Sequence, residues 1–176
     1  VGFIAFSIYD GLIKGKDAYT LAMGAGHRYF EDGQYQDAIT EFKEALQVKP
    51  DDPPANYGIA IAQMQLGSHD LAFDYFDLAI SAETDSKNKA FYLANRGILH
   101  DRLGQYQEAL DDYKLALQLE PETAEGPGII SRLLHNQPER PPTIADRARY
   151  LQAELAKPEG ERLLSVPELD EKQRSE

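Results

Sequence analysis

The chain has no cysteine, which removes disulfides, thiolate nucleophiles and zinc–cysteine sites together. It is also short of cations: 18 Lys and Arg stand against 30 Asp and Glu, a formal net charge of −12. The shortage is concentrated between Tyr19 and Thr123, where 18 acidic residues face 8 basic ones, whereas Glu139 to Glu176 holds 9 and 7. A surface of that sign repels nucleic-acid phosphates and anionic lipid headgroups, whose binding needs clustered Lys and Arg. Nucleic acid is therefore not an expected partner, and a solvated acidic face is the simplest use of these charges. No stretch reaches the roughly 20 apolar residues that span a bilayer.

Catalytic chemistry is missing as well. His27, His69, His100 and His135 stand more than thirty residues apart, without the close pairings of a zinc site. The adjacent carboxylates Asp51-Asp52 and Asp111-Asp112 diverge on a helix or turn. Gly24-Ala25-Gly26 lacks the Lys-Ser/Thr that completes a phosphate loop. The sequence thus points away from an enzyme and calls for no metal and no cofactor.

What is present is repetition. GQYQDAITEFKEAL (Gly33 to Leu46) returns as GQYQEALDDYKLAL (Gly104 to Leu117), with a blurred copy, GSHDLAFDYFDLAI, from Gly67 to Ile80. Apolar residues in each copy fall at helical spacing, as in Ile39, Phe42, Ala45 and Leu46. A Gly opens each copy in a short break, where a residue free to take positive φ can end a preceding helix. The candidate preceding helices are 18–31, 54–66 and 88–103, so the unit is a helix hairpin. Gly33 to Gly67 is a step of 34 residues and Gly67 to Gly104 one of 37. Register places the three extra residues between Ser86 and Lys89, as a longer connection or an extra helical turn.

With Tyr19, Pro53 and Ala90 as first positions, small residues recur at position 8 (Gly26, Ala60, Gly97), position 20 (Ala38, Ala72, Ala109) and position 27 (Ala45, Ala79, Ala116). Rings recur at position 24 (Phe42, Phe76, Tyr113), and position 32 is Pro50, Thr84 and Pro121. This pattern resembles the tetratricopeptide repeat. Positions 4 and 11 depart from it, holding Ala22, Asn56, Leu93 and Tyr29, Gln63, His100. The resemblance implies an all-α fold: a right-handed superhelix of antiparallel hairpins at 19–52, 53–86 and 90–123, with a capping helix and an extra C-terminal helix.

The flanks follow from patterning. At 124–136, Ile129, Ile130, Leu133 and Leu134 form one helical stripe, the expected cap of the stacked core. Residues 137–176 comprise a proline-rich break, an amphipathic helix carrying Ile144, Ala148, Leu151 and Leu155 with Thr143 as its cap, and a charged tail. That helix either packs on the array or reaches a partner. At the other end, residues 1–18 form an apolar flank with Phe3, Ile4, Phe6, Ile8, Leu12 and Ile13, too apolar to stand bare in water. It is expected to be an extra helix on the first repeat, the trailing end of a membrane anchor, or the occupant of a groove in this molecule or a neighbour. Localisation is left undetermined.

The resemblance also implies where a ligand would sit, because the first helix of each hairpin lines the concave face in this family. The corresponding residues here are Thr20, Met23, His27 and Glu31; Tyr57, Ile61 and Gln65; and Phe91, Asn95, Ile98 and Arg102. Gly24, Phe30, Pro54, Gly58, Met64, Ala94 and Asp101 lie at neighbouring groove positions. One subfamily grips the carboxylate end of chaperone tails with Lys, Arg and Asn. This chain has Met23, His27, Gly58, Phe91 and Asn95 at those places, so the cations are missing. The expected function is a non-catalytic interaction scaffold taking an apolar helix or strand of a protein partner, tethered to a membrane if the amino end is the trailing end of an anchor. The alternative is a self-assembly module whose groove accepts its own or a neighbour's flank, giving a homo-oligomer.

Overall fold

The computed structural model describes residues 18–121 and 143–165. Seven α-helices and no strand occur among them. The expected cap at 124–136, the apolar run Val1–Ile13, the proline-rich break and the end of the tail lie outside the described residues. The chain divides into two compact units, Val1–Glu83 and Thr84–Glu176.

In unit one, α1 (18–31) pairs with α2 (Tyr35–Val48), and α3 (Pro53–Gln65) with α4 (His69–Ala82). Both hairpins turn the same way. Gly33 and Gly67 take φ of 74°, a conformation that costs a residue with a Cβ but not glycine. The Gly33 N–H donates to Phe30 O at 3.0 Å and the Gln34 N–H to Tyr29 O at 2.8 Å; Gly67 and Ser68 repeat the arrangement with Met64 and Gln63. Two carbonyls that would otherwise be orphaned at each helix end are thereby satisfied.

The α2–α3 connection is closed by Asp52. Its carboxylate accepts from the Ala55 N–H at 3.1 Å, capping α3, and from the Tyr19 O–H at 2.9 Å. Lys49 Nζ lies 3.4 Å from the centre of the same tyrosine ring. The start of α1 is thus tied to the start of α3. Pro53 and Pro54 open α3, where a missing N–H costs nothing.

Unit two holds α5 (Ser86–Arg102), α6 (Tyr106–Leu119) and α7 (Ile144–Leu155). Gly104, with φ of 75°, closes the α5–α6 hairpin as Gly33 and Gly67 close theirs. The extra residues of the long repeat do not lengthen a loop. Asp85 caps α5 by accepting from the Asn88 N–H at 2.9 Å, and α5 runs 17 residues against 13 in α3. The insertion became an additional N-terminal turn because Asp85 supplies a cap just ahead of a run free of Pro and Gly.

Position 20 is closed to solvent in all three hairpins, with Ala38, Ala72 and Ala109 fully buried, and so are the rings Phe42, Phe76 and Tyr113. These alanines let the helices of a hairpin approach, and the rings fill the space beside them.

α7 packs on α6 through Ala148 and Leu151, which meet Ala109, Leu110 and Tyr113. Its start is fixed by a reciprocal capping box: Thr143 Oγ1 accepts from the Asp146 N–H, and Asp146 Oδ2 accepts from the Thr143 N–H. Of the two fates open to this helix, packing on the repeats is the one observed.

Candidate protein-interaction face

The geometry of unit one is set by Phe42. A Cβ added at Gly26 of α1 would lie 2.6 Å from Phe42 Cε1, and one added at Gly58 of α3 would lie 2.7 Å from Cε2. The ring therefore sits between two helix backbones, each bare of side chain at the contact, and sets the spacing of α1 and α3. His27 meets the ring edge-on, with centroids 5.4 Å apart and planes at 77°. Gly58 stood among the groove positions in the sequence. It is buried against the ring and offers nothing to a ligand.

On α1, Thr20, His27 and Glu31 are exposed, whereas Met23 is withdrawn into the core cluster with Ala22, Ile39 and Phe42. Phe30 also turns inward, its ring 5.3 Å from that of Tyr35. On α3, Tyr57 and Ile61 are half-buried and Gln65 is exposed. The Tyr57 ring lies 6.0 Å from Phe76, which holds it from behind. Unit one thus presents a rim of Thr20, His27, Glu31 and Gln65 with Tyr57 and Ile61 as its apolar elements.

In unit two the corresponding residues of α5 divide. Phe91 is 52% exposed, and Arg102 is exposed. Asn95 is half-buried and donates from its side-chain nitrogen to Phe91 O at 2.8 Å, so part of its hydrogen-bonding capacity is spent on its own helix. Ile98 packs against the α6–α7 cluster.

Asp101 is taken up by α7. Arg147 Nε and Nη2 donate to its two oxygens, each at 2.7 Å, with the side chains 5% and 4% exposed. The Tyr113 O–H adds a bond at 3.3 Å. Burial, and then the Asp101 charge, push the Tyr113 phenol above its ordinary range, so it stays a donor. Asp101 is a structural anchor and not a groove residue.

The segment after α7 folds back along the same helix. The Leu163 N–H donates to Glu154 Oε2 at 2.8 Å, the Tyr150 O–H to Leu163 O at 2.5 Å, and Arg147 Nη2 to Leu164 O at 3.0 Å. The Lys157 side-chain bond and then the Leu163 N–H hold the Glu154 carboxyl below its usual range.

Sequence reasoning placed Ile144, Ala148, Leu151 and Leu155 on the packing stripe of α7 but passed over Arg147. The signal was there: Arg147 lies three residues after Ile144, on the same side of the helix. Among the described residues no group of three His, Asp or Glu could hold a metal ion. No described helix is long and apolar enough to cross a membrane.

Residues 26–67 match the family model described as TPR repeat, and residues 90–122 the one described as Tetratricopeptide repeat. Human Tetratricopeptide repeat protein 6 is 29% identical over 96 residues, 54% of this chain and 18% of that protein. Translocon at the outer membrane of chloroplasts 64 from Pisum sativum is 35% identical over 109 residues, 61% of this chain and 18% of that protein. The chain therefore spans less than a fifth of the length of these relatives. Among solved structures, the first TPR of Spaghetti (RPAP3) bound to the HSP90 peptide SRMEEVD superposes with a TM-score of 0.61 at 21% identity, covering 80% of this chain and 95% of that one. The hairpins with glycine turns, alanine contacts and buried rings, together with the two model matches, identify residues 26–67 and 90–122 as tetratricopeptide repeats.

Proposed function

We propose that this chain is a non-catalytic protein-interaction scaffold whose first-helix faces take an apolar peptide or helix from a partner protein. The observation that carries the reading is the half-exposed Phe91 on α5, with Tyr57 and Ile61 accessible in part on α3. Large apolar groups held from behind and open in front are suited to anchoring a ligand. The similarity to a TPR domain bound to an HSP90 peptide supports a peptide as ligand class.

The chemistry of the ligand is proposed to differ from that neighbour's. SRMEEVD is acidic and ends in a carboxylate, and a buried or half-buried carboxylate needs cations to meet it. The positions that would supply them carry Met23, His27, Gly58, Phe91 and Asn95. Glu31 adds charge of the wrong sign at the rim of unit one. An apolar segment meets no such penalty.

Two peptides test this by calorimetric titration into the full chain: SRMEEVD, and an amidated helical peptide with an uncharged apolar stripe. The apolar peptide should bind and lose at least about tenfold in affinity on Tyr57→Asp, since a desolvated carboxylate replaces an anchor. SRMEEVD should give no measurable heat. Micromolar binding of SRMEEVD, or unchanged binding of the apolar peptide to Tyr57→Asp, would overturn the reading.

A further inference from the structure

The second repeat departs from both of its siblings at two places near the start of α4. Position 17 is Tyr35 and Tyr106 in the outer repeats but His69 here, and position 19 is Asp37 and Glu108 but Leu71; at position 26, Leu78 matches Leu115 of the third repeat, where the first has Glu44. Tyr35 and Tyr106 both pack against the cores of their own units. At His69 there is instead a depression of about 320 Å³, lined by Gly67, Ser68, His69, Asp70 and Leu71. The imidazole Nδ1 of His69 is buried and has no hydrogen-bond partner.

Leu71 and Leu78 are each 47% exposed. Seven residues apart on a helix, they lie nearly one above the other, separated by about 10.5 Å along the axis. Asp70 and Asp74, both exposed, run along the adjacent edge. α4 contains no Lys or Arg to neutralise them.

An apolar stripe with an acidic rail is complementary to one kind of occupant. We infer that this outer side of α4 docks a basic amphipathic helix of a partner protein, its leucine-sized side chains on Leu71 and Leu78 and its Lys or Arg along Asp70 and Asp74. The two-turn spacing of the leucines matches the i, i+7 repeat of a facing helix. The acidic rail selects its sign. This face is separate from the first-helix faces proposed above, and each can fail without the other.

The probe is an amidated amphipathic helical peptide of Leu and Lys, with a twin carrying Glu for every Lys, read by fluorescence anisotropy against the full chain. The Lys peptide should bind and the Glu twin should not. Leu71→Ser/Leu78→Ser should weaken the Lys peptide at least about tenfold, as expected for loss of central anchors, while Leu71→Met/Leu78→Met should retain it. Asp70→Asn/Asp74→Asn should weaken it less and flatten its salt dependence. The leucines are half-exposed, so the helical circular dichroism should be the same in every variant. If the serine pair binds the Lys peptide like the parent, the attraction is to net charge alone and the proposal falls. It falls equally if the parent forms a dimer that the serine pair abolishes, because the stripe is then covered by a second copy.

Discussion

Replacement of Arg147 by Ala should destabilise unit two by about 3–5 kcal/mol, the range for breaking a buried pair by removing one partner. The geometry puts it there because the guanidinium meets both oxygens of Asp101 at 2.7 Å in a place where neither side chain sees much water. With Ala at 147, the Asp101 carboxylate either stays buried with only the Tyr113 O–H for company or becomes hydrated by α7 leaving its seat. The second course exposes Leu110, Tyr113 and Leu151, so both are costly. The same substitution removes the bond to Leu164 O and loosens the segment that folds back on α7. The double variant Asp101→Asn/Arg147→Met should recover much of the loss, because the buried charge is gone, Asn still accepts from Tyr113 and Met fills the volume. Urea unfolding followed by circular dichroism measures both. A loss below about 1 kcal/mol for Arg147→Ala would mean that the pair is solvated and is not holding α7.

Phe42→Ala should cost unit one about 3–5 kcal/mol, the ordinary range for a buried phenylalanine. The surroundings of a deleted side chain usually relax into part of the void. Here two of the walls are helix backbones at Gly26 and Gly58, which have no side chain of their own to swing in. Adding one should hurt too: Gly58→Ala puts a Cβ 2.7 Å from the ring and forces the ring or α3 to shift, an overpacking cost of about 1–3 kcal/mol. Phe42→Ala should also weaken binding at Tyr57 and Ile61, since the ring sets the spacing of the helices that carry the face. Parent-like stability in both variants would show that the ring is not wedged.

The parts that were legible in the sequence are local. Gly33, Gly67 and Gly104 mark the hairpin turns because the left-handed backbone there admits almost nothing else, and that constraint is visible residue by residue. The alanines and rings at fixed positions in each copy fix the helix contacts for the same reason. The start of α5 was legible only in part. The three-residue insertion could be located, but turn and loop differ by one capping bond, between Asp85 and Asn88.

What was hidden depends on contacts between distant residues. Asp101 stood on the face that points to a ligand in the tetratricopeptide family, and only a partner 46 residues downstream turned it into an anchor. Met23 and Gly58 were assigned to the groove by position, yet one helps form the core and the other seats Phe42. Position in a repeat specifies the side of a helix but not how deeply neighbouring side chains cover it. The residues left on the first-helix faces, with Tyr57 and Phe91 foremost, are therefore a smaller set than the repeat register offered.

The most direct measurement of the scaffold reading is photo-crosslinking by the full chain in an extract of its source cells, with benzoylphenylalanine placed singly at Tyr57, Phe91 or the exposed Glu44 of α2, followed by mass spectrometry of the crosslinked peptides. A probe at Tyr57 or Phe91 should capture a protein partner through an apolar segment, and the probe at Glu44 should not. Capture at Glu44 with nothing at Tyr57 and Phe91 would place binding on the other side of the helices and contradict the account.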